Sequence, residues 1–274
     1  MINLEPGVSP IRAVLRKKRV KEPDEKWAVF GRKRQEDWLG RNRAFSNEFK
    51  SLLDNKTLDT YFTERKERNK TNHILELFGP KNIEAAELCD SITAVTLTPS
   101  EEDIAGGEDI IGSLFESKPW REIKTKSQKI NGFDIVFCRA LRPFMINILD
   151  RKEELLIDGY LGLFRKLLER TFDLVKPDGG EIFIKTPDFI FLLGDTDRNI
   201  SASNYVSGAI NRQLDFYSEN GISIDFGQSG VDESQVIKIT RNIINPNLNK
   251  LRLNNTNYFQ ATQSTPSPLL KQRL

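Results

Sequence analysis

The spacing of apolar residues along the chain switches repeatedly between the strand period and the helix period. Short β-branched or aromatic runs predict strands, and apolar residues three or four positions apart predict amphipathic helices. The helices are predicted around Ile83–Cys89, within Trp120–Lys129 and just before Lys176. The predicted strands are, in chain order, a short strand with its turn at His73–Pro80, then Ser91–Leu97, Asp109–Leu114, Phe133–Cys138, Glu181–Thr186, Gly221–Phe226 and Ser234–Thr240.

One βαβ unit is visible in the second half of the chain. The buried strand at Phe133–Cys138 is entered through Asn131-Gly132, and a helix carrying Leu167 and Phe172 follows it. Pro177 stops that helix, and Gly179 and Gly180 allow the positive φ angles of a tight turn into the next strand. The last two predicted strands are separated by only seven residues, Gly227–Glu233, and are expected to pair antiparallel.

Two of these segments, FDIVFC and LLERTFDLVKPDGGEIFIKT, resemble the second half of a class I S-adenosylmethionine-dependent methyltransferase. In that family an "fDlVf" strand precedes an "LkpGG" turn and the next strand. The resemblance implies a three-layer, Rossmann-like α/β fold over residues 72–242. Its sheet would have seven mostly parallel strands with an antiparallel last strand. A helical N-terminal extension, predicted from the spacing of Phe45, Phe49 and Leu52, precedes it.

The resemblance also implies S-adenosylmethionine as cofactor, bound beyond the carboxyl ends of the strands. Glu76 matches the acidic residue that ends the family's first strand, whereas Phe78 occupies one of its glycine positions, next to Gly79. Thr98 follows the second strand, where the family commonly has a carboxylate for the ribose hydroxyls. Ser113 and Leu114 follow Gly112, where the family often has an aspartate for the adenine amine.

Arg139 follows the fourth strand, on the side where this family holds its substrate. Arg139 and the neighbouring Arg142 could hold an anionic substrate, or they could be surface residues that pair with acidic groups of the domain. No catalytic residue is identified. The predicted cofactor-binding residues are therefore Glu76, Phe78, Gly79, Thr98, Ser113, Leu114 and Arg139.

Two functions are compatible with these residues. The first is a divergent S-adenosylmethionine-dependent methyltransferase of unknown substrate, with RNA as one candidate. The second is a catalytically inactive methyltransferase-like domain that binds RNA or a protein, because fold similarity alone does not establish activity.

Charge is distributed unevenly, although the net charge of the 274 residues is only +2. Residues 1–70 contain 18 Lys and Arg against 11 acids, residues 71–242 contain 19 against 28, and residues 243–274 contain 4 against none. The basic N-terminal arm could bind a nucleic acid, with Trp27 and Trp38 stacking on bases, or it could only improve solubility. We expect a mobile basic arm at 1–32, a helical extension at 33–71, the methyltransferase-like domain at 72–242 and a disordered tail at 243–274.

Composition argues against several other classes of protein. Two cysteines and one histidine are too few for a disulfide framework or an ordinary zinc site, so no metal is predicted. No phosphate-binding loop of the type G-x-x-x-x-G-K-[ST] occurs. Neither a signal peptide nor an apolar run of membrane-spanning length is apparent, and a cytoplasmic protein is expected.

Overall fold

The structure is a computed structural model of the 274-residue chain. It describes residues 45–68, 70–77, 84–96, 106–112, 114, 116–139, 167–186, 190–192, 199–201, 218–219, 221–231 and 234–242. The predicted basic arm and C-terminal tail lie outside these residues. Among the described residues, no helix is both long enough and apolar enough to span a membrane.

A seven-stranded sheet forms the centre of the molecule. Its strands are β1 (His73–Glu76), β2 (Ser91–Thr96), β3 (Gly107–Ile111), β4 (Ile135–Cys138), β5 (Asp178–Lys185), β8 (Ile222–Gln228) and β9 (Gln235–Asn242), while β6 (Ile190–Leu192) and β7 (Asn199–Ser201) form a separate ladder. The strand order in the sheet is β3-β2-β1-β4-β5-β9-β8; β1 to β5 run parallel to one another, and β9 runs antiparallel to both β5 and β8. The order reverses between β1 and β4, which is the topological switch point of a doubly wound sheet.

This strand order, with β9 inserted antiparallel, confirms the predicted Rossmann-like methyltransferase fold. Most strand boundaries differ from the prediction by one to three residues, and the largest differences are at β3 and β5. β3 (Gly107–Ile111) begins two residues earlier than the predicted Asp109–Leu114 strand and ends three residues earlier, because it pairs with β2 from Gly107 to Ile111. β5 begins at Asp178, so part of the predicted turn already belongs to the strand.

The two glycines at the start of β5 are needed for different reasons. Gly179 has a φ of +73°, which a residue with a side chain rarely adopts. Gly180 does not have a positive φ, contrary to the prediction; a Cβ there would collide with the backbone of Lys176. Asn131 (φ 57°) and Gly132 (φ 94°) form the predicted entry to β4 in the left-handed region.

One face of the sheet, which we call face A, is covered by helices. Helix α3 (Ser117–Lys129) buries Pro119, Ile123 and Ser127, and the helical segment 167–172 buries Leu168 and Phe172. These residues pack on the face-A side chains of β1, β4, β5 and β9. Helix periodicity places the apolar side chains on one side of each helix, and strand alternation places every second side chain on face A, so the two apolar surfaces pack together.

The opposite face, face B, is covered by the N-terminal extension. It consists of α1 (Phe45–Glu48), a 3-10 turn (Lys50–Leu52) and α2 (Leu58–Glu67). Phe137 of β4 is the centre of this layer, with ring centroids 4.5 Å from Phe45, 5.7 Å from Phe49 and 5.3 Å from Phe183. The extension is therefore part of the hydrophobic core.

A buried charge network fastens α2 to the amino-terminal edge of the sheet. Arg65 Nη1 donates to Glu181 Oε2 at 2.7 Å, and its Nη2 lies 3.6 Å from Asp134 Oδ1. Glu181 also accepts from the Tyr61 hydroxyl at 2.6 Å and from Lys238 Nζ at 2.9 Å. Asp134 accepts from the backbone N–H of His73 at 2.8 Å and so joins β1 to β4.

Two local predictions are wrong or incomplete. The predicted helix at Ile83–Cys89 is, in its described part, a single 3-10 turn at Ala86–Leu88, and the left-handed Ala85 precedes it. A two-stranded antiparallel ladder, β6 (Ile190–Leu192) with β7 (Asn199–Ser201), was not predicted, because such short strands carry little periodic signal.

Candidate functional site at the carboxyl edge of the sheet

The carboxyl ends of β1, β4 and β5 meet at one edge of the sheet, next to the switch point. Glu76 is the last residue of β1, Arg139 directly follows β4, and Lys185 is the last residue of β5. Strand alternation places all three side chains on face B, together with Phe137 and Phe183. Parallel pairing in register thus brings three charged groups to one place.

Glu48 of α1 completes a group of four charges that we call the carboxyl-edge cluster: Glu48, Glu76, Arg139 and Lys185. Arg139 Nη1 donates to Glu48 Oε2 at 3.2 Å, and Arg139 Nε lies 3.6 Å from Glu76 Oε1. Lys185 Nζ donates to Glu48 Oε1 at 3.1 Å. Arg139 and Glu48 are thus each shared between two partners.

An aromatic ring of the N-terminal extension packs against Arg139. The guanidinium carbon of Arg139 lies 3.4 Å from the centroid of the Phe45 ring, within cation–π distance. The ring of Phe45 itself packs on Phe137. Residues of α1 therefore hold Arg139 by both charge and aromatic contact.

The cluster is withdrawn from water and formally neutral. Glu76 is 0% exposed and Arg139 is 2% exposed, so both ions give up hydration when the protein folds. In a buried pair the mutual attraction offsets this desolvation only when each charge keeps its partner. Burial, with Glu76 nearby, also raises the pKa of the Cys138 thiol on the other face of β4.

The structure brings two of the predicted site residues together and separates a third. Glu76 and Arg139 are in contact, and Arg139 is not the surface residue that one of the two alternatives predicted. The Leu114 side chain packs against the face-A core, and its carbonyl accepts from the Trp120 indole at 2.8 Å. Phe78, Gly79, Thr98, Ser113 and Arg142 lie outside the described residues, and the set of cofactor-binding residues stays a prediction.

Sequence reasoning missed Phe45, Glu48 and Lys185 as members of this site. Glu48 and its partner Arg139 are 91 residues apart in the sequence, so a local sequence pattern cannot predict their contact. A signal was nevertheless present. Glu48 lies three residues after Phe45, on the apolar side of its helix, where an isolated carboxylate indicates a buried partner.

The charges of the cluster suit an amino-acid group. The methionine part of S-adenosylmethionine has an ammonium and a carboxylate, and Glu76 and Arg139 carry the opposite charges side by side. They fit that group in charge, although both are already paired and buried, so a ligand would have to share or exchange these partners. The described residues contain no group of three His, Cys, Asp or Glu side chains placed to hold a metal ion.

No protein-family model matches the chain, and no curated protein matches it. Among solved structures, it is similar to the O-methyltransferase TomG from Streptomyces achromogenes, involved in tomaymycin synthesis and solved in complex with SAM. The identity is 10%, the alignment covers 81% of this chain and 99% of that one, and the TM-score is 0.38. It is also similar to the O-methyltransferase from Bacillus cereus in complex with SAH, at 14% identity, 80% and 100% coverage and a TM-score of 0.34.

A third similar structure is the release-factor-specific protein-(glutamine-N5) methyltransferase from Alicyclobacillus acidocaldarius. The identity is 10%, the alignment covers 68% of this chain and 94% of that one, and the TM-score is 0.32. The fold assignment for this chain rests on the strand order and strand directions described above.

Proposed function

We propose that this protein is a divergent S-adenosylmethionine-dependent methyltransferase that binds its cofactor at the carboxyl edge of β1 and β4. The observation that carries the proposal is the position of Glu76, at the end of β1 beside the switch point of a methyltransferase-like sheet. In open α/β sheets ligands bind in the crevice at that point.

Glu76 and Arg139 have the principal roles in this proposal. The Glu76 carboxylate would accept hydrogen bonds from the ammonium group of the cofactor, and the Arg139 guanidinium would donate to its carboxylate. When bound, the cofactor supplies an electrophilic methyl group on a sulfonium sulfur. The acceptor is a nucleophilic atom of a substrate, for which RNA is the candidate that the basic flanks of the sequence suggest.

One observation favours the second candidate function, an inactive domain that binds RNA or a protein. Glu76 already has a cationic neighbour in Arg139, and both side chains are buried beneath α1. If this arrangement only stabilises the fold, Glu76 and Arg139 are not available to bind a ligand.

Cofactor binding distinguishes the two candidates. We expect S-adenosylmethionine and its demethylated product to raise the unfolding temperature and to give a binding isotherm by calorimetry. A ligand present at 100 times its dissociation constant adds about 2.7 kcal/mol to the free energy of unfolding. A ligand concentration of about 1 mM would saturate an ordinary cofactor site. If neither the unfolding temperature changes nor binding heat appears at that concentration, the result supports the inactive domain.

A matched pair of variants assigns any binding to this edge. Glu76→Gln removes the buried carboxylate charge, and we expect it to weaken cofactor binding at least tenfold. Glu64→Gln makes the same chemical change on α2, where Glu64 pairs with Lys56 at 2.8 Å, and should leave binding unchanged. Equal affinity in both variants would place the cofactor elsewhere.

A further inference from the structure

Helix α3 presents a row of cations to solvent. Its buried side consists of Pro119, Ile123 and Ser127, while Lys118, Arg121, Lys124 and Lys129 are exposed. At about 100° of rotation per residue, these four side chains fall within an arc of roughly 140° and extend along about 16 Å of the helix axis. We call these four residues the basic stripe.

The basic stripe stands out from the acidic domain that contains it. Residues 71–242 have 19 Lys and Arg against 28 Asp and Glu, whereas α3 alone has five Lys and Arg against one Glu. The single acid of the helix is Glu122, whose Oε1 lies 3.8 Å from Lys118 Nζ. The fifth cation, Lys126, is not part of the stripe and pairs with Glu108. Among the described residues, the remaining three members of the stripe have no acidic partner within ion-pair distance.

Helix stability explains this arrangement only in part. Lys129 lies in the last turn, where the helix dipole favours a cation, whereas Lys118 lies in the first turn, where the dipole disfavours one. Lys118 and Arg121, like Arg121 and Lys124, are three residues apart, so their charges repel across the helix surface. An external anion would compensate this repulsion.

The adjacent helical segment contacts α3 through an arginine. The guanidinium carbon of the exposed Arg170 lies 5.1 Å from the ring centroid of Trp120, at the edge of the buried side of α3. The Trp120 indole N–H donates to the Leu114 carbonyl at 2.8 Å, which fixes the ring in place. Arg170 thus lies next to α3, with Glu169 beside it in the same segment.

We propose that the basic stripe of α3 binds the phosphates of a single-stranded nucleic acid. A row of exposed cations along one side of a helix complements the linear charge of one strand, and contacts to phosphates carry no sequence information. Binding through phosphates alone depends on charge and salt, not on sequence or on the sugar. The site is on α3, whereas the proposed cofactor residues lie at the carboxyl ends of β1 and β4.

The test is a titration of the full-length protein, without cofactor, into fluorescein-labelled oligouridylate of about 20 nucleotides, long enough to cover a typical single-strand site. The variant replaces all four stripe residues with glutamine: Lys118→Gln, Arg121→Gln, Lys124→Gln and Lys129→Gln. We expect its affinity to fall at least tenfold at about 0.1 M salt, and its salt slope to decrease by about 0.7 for each phosphate that the variant no longer neutralises. The equivalent oligothymidylate should behave alike.

A matched control removes the same number of exposed charges on the other side of the molecule: Lys50→Gln, Lys66→Gln, Arg68→Gln and Lys70→Gln. Both variants keep the N-terminal arm, so binding by the arm is common to both. Equal decreases of affinity in the two variants would show a general effect of net charge and overturn the proposal. So would wild-type affinity in the stripe variant, or binding of phosphatidylserine vesicles through the stripe with no binding of the oligonucleotides.

The stripe residues are exposed, so the variant should unfold at the same denaturant concentration as the wild type. Because no cofactor is present in the titration, its result is independent of whether the protein binds S-adenosylmethionine.

Discussion

Arg139 is the residue on which the carboxyl-edge cluster depends most. It contacts Glu76 on a neighbouring strand, Glu48 on the extension and the ring of Phe45. Glu48 has a second cation in Lys185, and it is slightly exposed, whereas Glu76 is fully buried beside the guanidinium. Removal of Arg139 would therefore affect Glu76 most.

Arg139→Met should lower the free energy of unfolding by about 3–5 kcal/mol, because it leaves a buried carboxylate without its guanidinium. Urea unfolding followed by circular dichroism measures this decrease. Arg121→Met, the same change at an exposed position of α3, should alter stability by less than about 0.5 kcal/mol. Similar midpoints for the two variants would contradict the description of the cluster as a buried ionic group.

The double variant Glu76→Leu with Arg139→Met tests the same cluster by removing both charges. An apolar pair avoids the desolvation of two ions, so the double variant should recover much of the stability that Arg139→Met loses. Strictly additive effects would indicate that Glu76 and Arg139 do not interact.

Cys89 provides a pH-dependent prediction. Burial, with the charge of Asp90 beside it, raises the pKa of its thiol to about 12. A thiol with a raised pKa in the folded state adds stability below its unfolded pKa of about 8.5, and this stability is lost as pH rises toward the folded value. The free energy of unfolding should therefore fall between about pH 8.5 and 12.

Cys89→Ala should reduce this fall in the free energy of unfolding with rising pH. If the substitution leaves the fall unchanged, other groups cause it. The raised pKa also predicts slow reaction with a thiol reagent at about pH 8, because the thiolate is the reactive form. Unfolded protein should react at both cysteines at once.

The positions of Glu76 and Arg139 were predictable from sequence, because each ends a strand whose direction the βαβ pattern fixes. Their contact with each other was not predicted, because it depends on the register of β1 with β4. Glu48 was harder still to assign, because its partners are contributed by β4 and β5, far along the chain.

The extension is held against the sheet by the turn between β8 and β9. The backbone N–H of Gly230 donates to the Asn47 carbonyl at 3.1 Å, and the Ser51 hydroxyl donates to the Gln228 carbonyl at 3.0 Å. The two segments approach so closely that a Cβ on Gly230 would collide with the Asn47 carbonyl oxygen.

Gly230→Ala should therefore destabilise the protein by about 1–3 kcal/mol, as overpacking at a rigid backbone contact does. Amide hydrogen exchange should also be faster in the variant than in the wild type, and the increase should be larger in the segment 45–53 than elsewhere. Val231→Ala, at an exposed position of the same turn, is the control and should change neither quantity by much. A tolerated Gly230→Ala would mean that the turn can move away from α1.

At the scale of elements, the alternation of strands and helices was sufficient to predict the seven-stranded sheet. The glycines at the start of β5 and the short link between β8 and β9 indicated the parallel and antiparallel pairings. The course of the extension could not be predicted in the same way. Phe45, Phe49 and Phe62 show that a helix must bury one side, but periodicity does not say which face of the sheet receives it.

For the whole molecule, charge separates a basic N-terminal arm from an acidic domain. From its charge, the arm could bind a nucleic acid or could only improve solubility. Deleting residues 1–34 should abolish RNA retention at about 50 mM salt if the arm supplies most phosphate contacts. If the basic stripe of α3 supplies an independent share, the deleted protein should retain RNA weakly and lose the remainder in the stripe variant.

Filter binding over a series of salt concentrations measures both shares. The decreases in salt slope caused by the deletion and by the stripe substitutions should add up to the decrease in the combined variant. Full retention by the deleted protein would remove the arm from the interface.

The contact of Gly230 with Asn47 also has a consequence for synthesis on the ribosome. The residue that closes the turn is made about 180 residues after its partner, which takes on the order of 10–40 s at typical elongation rates. During that interval Phe45 and Phe49 have emerged, while the turn that clamps α1 does not yet exist. A nascent chain of this protein thus presents its aromatic segment early and depends on holding by a chaperone, or on transient collapse, until its last strands are made.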